Sequence, residues 1–162
     1  LNASNVTSTG FNFDTCMFVT EEKDKSMNKG HLSLYDIVLT SRGTLGNVAL
    51  YDRHIRYENM RINSGMLIIR PKTNQLSPYF IYALLKSTYM KAAIERFRSG
   101  SAQPQLPIKD LQKISFEIPQ SDAVLTDLDR QFLSIEESIS INNKEIDNLK
   151  GLSAVLLAEL SR

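Results

Sequence analysis

No proline interrupts the chain after Pro119, and the 43 residues that follow carry one sustained pattern. Steps of three and four from Leu125 land on Leu128, Phe132, Ile135, Ile139, Asn142, Ile146, Leu149, Ser153, Leu156 and Leu160. Nine of these eleven positions are apolar, which is the a/d seam of a coiled-coil-type helix. Asp122 suits the positive end of such a helix. A helix of ~40 residues is ~60 Å long, longer than a small domain is wide. Much of the seam must therefore meet a partner outside its own globular part. Asn142 and Ser153 break the seam, either as tolerated defects or as devices that fix register. Gly151 weakens the helix by up to ~1 kcal/mol, so a bend or an early end is expected there.

Residues 1–119 read differently. "YDIVLT" (35–40), "NVALY" (47–51) and "GMLIIRP" (65–71) are short β-rich runs, the last ended by Pro71. "ISFEIP" (114–119) alternates Ile114, Phe116 and Ile118 with polar residues, which predicts a half-buried strand. "FNFDTCMFVT" holds one or two short strands in this reading. Ser77 and Pro78 start a helix that runs to about Arg98, as one segment or two, and Ser99-Gly100 stops it. "PIKDLQK" (107–113) predicts a helical turn. The expected fold class is α+β. A mixed domain with a small sheet and helices spans 1–119, and one long C-terminal helix spans 120–162.

Charge divides along the same line. Residues 1–119 carry 15 Lys/Arg against 10 Asp/Glu, whereas residues 120–162 carry 4 against 8. The first part can face an anion and the second cannot. Cys16 is alone, so an internal disulfide is excluded and a reducing cytoplasm is the natural setting. His31 and His54 lack Cys or His neighbours at metal-ligand spacing. No run approaches the ~20 apolar residues of a membrane span. No Ser-His-Asp or Cys-His arrangement is evident, and Asp36, Asp52 and Glu58 show no paired-carboxylate spacing. Position 1 is Leu, which suggests a fragment or a processed chain.

Two loops hold candidate contact residues. In "TSRGTLGN" (40–47), Gly43 and Gly46 suit the turn, but the turn does not require Arg42. Thr40, Ser41, Thr44 and Asn47 surround it with small hydrogen-bonding groups. A guanidinium there can clamp phosphate or bond guanine O6 and N7; an ordinary solvated arginine is the other reading. The Gly-Thr-Leu-Gly spacing matches no nucleotide-binding fingerprint. In "RFRSGSAQPQLP" (96–107), Arg98, Ser99, Ser101, Gln103 and Gln105 lie on a loop stiffened by Pro104 and Pro107. Two amides beside arginines suit adenine N6 and N7; a well-packed connection is the alternative.

The order of motifs resembles a known family. "SLYDIVLTSRGTLGNVALYD", "INSGMLIIRP", "LSPYFIYALLKS" and "RSGSAQPQLPIKDLQKISFEIP" are similar to the target recognition domain of type I restriction–modification specificity subunits. The long helix that follows resembles their spacer helix. The entry "IPQSDAVLTDLDRQ" departs from the Pro-rich family form, with Gln131 near the usual Gln position. The resemblance implies a half-subunit or C-terminal fragment that reads one half of a bipartite double-stranded DNA site. It implies that Leu125, Leu128, Phe132, Ile135, Ile139, Asn142, Ile146, Leu149, Leu156 and Leu160 pair with a second copy or a second half. It implies no catalysis and no cofactor on this chain. S-adenosylmethionine is expected on a partner adenine-N6 methyltransferase subunit, beside a motor–nuclease restriction subunit. Two alternatives stay open: a protein-interaction module dimerised by the helix, and the recognition domain of a single-chain restriction–methylation enzyme.

Overall fold

The computed structural model describes residues 1–72, 76–100 and 104–160. Strands β1 (Val6–Thr7) and β2 (Gly10–Phe11) form a small hairpin, and the short helix α1 (Glu21–Ser26) follows. Strands β3 (Ile37–Thr40), β4 (Val48–Leu50) and β5 (Met66–Ile69) make an antiparallel sheet in the order β4-β3-β5. Ile37 pairs with both Leu50 and Ile69. Helices α2 (Pro78–Lys86), α3 (Thr88–Phe97) and α4 (Ile108–Leu111) come next, and α5 runs from Asp122 to Leu160.

Every residue of β3 is buried, because the sheet is covered on both faces. Ile37 and Leu39 point, with Val48 and Leu50, into a core shared with Tyr82, Leu85, Met90 and Ile94 of α2 and α3. Val38 and Ala49 point the other way, against Val6, Leu32, Met60 and Met66. A strand buried on both sides loses the polar alternation of a half-exposed one. Asp36, just before β3, is 1% exposed and holds Arg70 by two bonds of 2.7 and 2.6 Å.

The span after Ser77 is two helices. Ser87 ends α2 and caps α3 through its Oγ, which accepts from Met90 N. The strand expected at 114–119 does not form. That segment is extended with no ladder partner; Ile114 and Phe116 pack on the core, and the Phe116 ring lies 5.4 Å from Tyr89. Its alternation satisfied side-chain packing and not a sheet.

The first half of α5 packs on the domain, and the second half is exposed, with Asn143 and Asn148 among the residues lining a cleft beside Phe11, Phe13 and Arg56. Phe132 meets Phe80 of α2 edge-on at 5.4 Å, and Leu133 packs on the core. All residues from 141 to 160 are exposed. The helix continues through Gly151, so the early end expected there is absent. Leu125 and Leu128 are half-buried, and Phe132 is engaged by its own domain. Ile135, Ile139, Ile146, Leu149, Leu156 and Leu160 are exposed.

Tyr79 of α2 is 4% exposed, and its hydroxyl has no hydrogen-bond partner among the described residues. Burial, with Asp52 nearby, pushes its pKa up to about 12. A buried unpaired hydroxyl costs roughly 1–3 kcal/mol, so Tyr79→Phe is expected to hold or raise stability by up to about 1 kcal/mol. Urea unfolding checks this; a loss larger than about 1 kcal/mol would show that the hydroxyl is bonded.

Candidate nucleic-acid interface

The turn between β3 and β4 is built around Thr40. Its N–H donates to the Asn47 carbonyl at 2.9 Å, and its Oγ accepts from Asn47 N at 3.0 Å. The same hydroxyl donates to the Thr44 carbonyl, and Gly46 N donates to the Thr40 carbonyl at 3.0 Å. Asn47 Nδ2 reaches the Val6 carbonyl at 3.0 Å. Thr40 is thus fully buried and braces the loop, while Asn47 ties it to the hairpin. Gly43 and Gly46 have φ of 74° and 80°. A Cβ on Gly46 would lie 2.9 Å from Ile94 Cδ1, so this glycine lets the loop press against α3.

Ser41 is 6% exposed, and its backbone is used on both sides. Its N–H and that of Arg42 donate to the Gly65 carbonyl at 2.9 and 3.2 Å, and its carbonyl accepts from Leu106 N at 3.0 Å. Arg42 and Thr44 are exposed. The Arg42 guanidinium makes no hydrogen bond or ion pair among the described residues. It is therefore a charge on a backbone held from two sides, with no carboxylate paired to it among the described residues.

The second loop joins the first. Arg42 and Gln105 form an antiparallel bridge, as do Ser99 and Gln105. Ser99 N donates to the Gln105 carbonyl at 3.0 Å, and Gln105 N returns a bond of 2.9 Å. Arg98 is exposed and pairs with Glu95 at 3.1 Å, an exposed ion pair of the kind worth under about 1 kcal/mol. Ser101 and Gln103 lie outside the described residues.

A third segment, which the sequence reading passed over, completes the site. Gly65 holds the Arg42 backbone, and Gly65 N donates to Asn63 Oδ1 at 2.9 Å. Asn63 and Ser64 are exposed beside Arg42. The Asn-Ser-Gly composition of 63–65 signalled a turn, but no local rule says which other loop a turn will touch. Three loops distant in sequence thus meet around one unpaired arginine. Exposed cationic, amide and hydroxyl groups together can grip phosphate and reach base edges.

Among the described residues no cluster of His, Cys, Asp and Glu is disposed to hold a metal, and no helix is long and apolar enough to cross a membrane. The model of the type I restriction modification DNA specificity domain matches residues 5–150. The chain belongs to that family. A putative type I restriction enzyme MjaX specificity subunit from Methanocaldococcus jannaschii is 25% identical over 138 residues. That match covers 78% of this chain and 32% of the relative, so the chain spans about a third of that protein's length. As a type I restriction modification DNA specificity domain, the chain is a DNA target-recognition element.

Proposed function

We propose that residues 1–119 read one half of a bipartite double-stranded DNA site and that residues 120–162 form the spacer helix that joins two such readers. Arg42 enters the groove, flanked by Thr44, Arg98, Ser99 and Gln105, with Ser101 and Gln103 on the same loop. Thr40, Ser41 and Asn47 hold the loop in shape. The observation that carries this reading is an exposed Arg42, unpaired among the described residues, on a braced turn where three loops converge. The positive balance of 1–119 supports it.

The exposed apolar edge of α5 supports pairing with a second copy or a second half. The assembly then docks an adenine-N6 methyltransferase subunit, which holds S-adenosylmethionine and flips its target base, and a restriction subunit. The setting is the cytoplasm.

Passing a random duplex library over the chain tests the reading. One short sequence is expected to enrich, and log affinity is expected to fall with log salt by about 0.9 per phosphate contacted. No enriched sequence, with binding indifferent to salt, would end the proposal. Tight capture of a protein in its place would favour an interaction module.

A further inference from the structure

We propose that Asp52 and Ser140 fix the direction of α5 on the recognition domain, and so set which separation of two half-sites a pair of domains can read. This inference rests on the DNA-reading function above.

The contacts of α5 with the domain fall on one face. Asp129 Oδ1 accepts from Ser77 N at 3.0 Å, at the start of α2. Glu136 takes Lys86 Nζ at 3.3 Å, at the end of α2. Ser140 Oγ donates to Asp52 Oδ2 at 2.6 Å. Residues 129, 136 and 140 repeat at helical spacing and share a face with Leu133, whereas Ile135, Ile139 and Ile146 lie roughly a quarter to a third of a turn away. One face grips the domain and another is left for a partner.

Ser140 is the outermost of the polar grips, and every residue beyond it is exposed. Its partner is itself immobilised. Asp52 is 2% exposed, and its other oxygen accepts from His54 N at 2.9 Å. Asp52 follows β4, and the Arg42 loop precedes β4, so one strand links the candidate DNA contact to the hinge of the rod. Apolar contacts such as Phe132 on Phe80 tolerate small rotations, but a short, part-buried hydrogen bond to an immobilised carboxylate is directional. The 20 residues beyond Ser140 project about 30 Å. A pivot of about 10° there moves the tip by about 5 Å, more than the ~3.4 Å between successive base pairs.

Ser140→Ala removes the bond, and Ser140→Thr keeps a hydroxyl in place. In the full chain, with Cys16→Ser and spin labels at Lys91→Cys and Ser153→Cys, the parent is expected to give one narrow distance. The alanine variant should broaden or shift it by about 5 Å or more, and threonine should restore it. On duplexes chosen from the library, Ser140→Ala should bind a single half-site within about twofold of the parent. Its preference among two-site duplexes of different spacing should fall about tenfold, with recovery in Ser140→Thr. An alanine variant that keeps the parent's distance and spacing preference overturns the proposal while the DNA reading stands. So does a parent that binds single sites and ignores spacing. A parent that enriches no sequence at all fails at the DNA reading, and this inference falls with it.

Discussion

A chain carrying Leu149→Asp and Leu156→Asp is expected to lose association through α5 by at least about 100-fold, with the rest of the molecule intact. Leu149 is 58% exposed and Leu156 is 51% exposed, on a stretch of helix whose described residues are all exposed. In proteins a helix draws most of its stability from packing of its apolar face. Burying a leucine contributes about 1.5–3 kcal/mol, so removing two from a paired seam costs roughly 3–6 kcal/mol before the aspartates' desolvation is counted. Each 1.4 kcal/mol is about tenfold in affinity, which gives the bound stated. Sedimentation equilibrium of parent and variant reads it directly. Melting of the domain should not move, since both side chains are exposed and belong to neither core cluster. A variant that associates as tightly as its parent would remove this edge of α5 from any interface.

Arg42→Ala is expected to weaken binding to the selected half-site by about 1–3 kcal/mol, the worth of a bidentate contact to a base. The side chain is exposed and makes no hydrogen bond or ion pair among the described residues, so the fold should be untouched within about 0.5 kcal/mol. Two further measurements separate base reading from phosphate grip. If Arg42 reads a base, Arg42→Lys fails as badly as alanine, because the planar fork is lost, and the preference at one position of the site relaxes. If it holds a phosphate, lysine recovers most of the affinity, and alanine lowers the salt slope by about one. Affinity unchanged in the alanine variant would take Arg42 off the DNA.

The turn at 40–47 shows how far local chemistry reaches. The glycines and the odd arginine were visible as residues, and so was their place between two strands. That Thr40 would be spent inside the loop, and that Asn47 would turn to Val6, depended on where the hairpin packed. The same holds for 63–65: its turn is written in Asn, Ser and Gly, but its contact with Arg42 comes from the pairing of β3 with β5. The segment 114–119 went the other way. Alternation of apolar residues says only that one side will be covered. Helices covered it, so no strand formed.

The heptad spacing by itself determined that residues 122–160 form one long helix with an apolar edge, because helix period and side-chain pattern are both local properties. The β-rich runs and the Ser77-Pro78 pair likewise determined, locally, the three central strands and the capped start of α2. Only the tertiary structure decided that the edge divides, with Phe132 given to α2 and the residues from 141 left uncovered. It alone brought Asp52 to Ser140 across 88 residues, and Arg42 to Gln105 and Gly65. Such meetings follow from how whole elements pack, and packing is settled by shape and burial over the full chain.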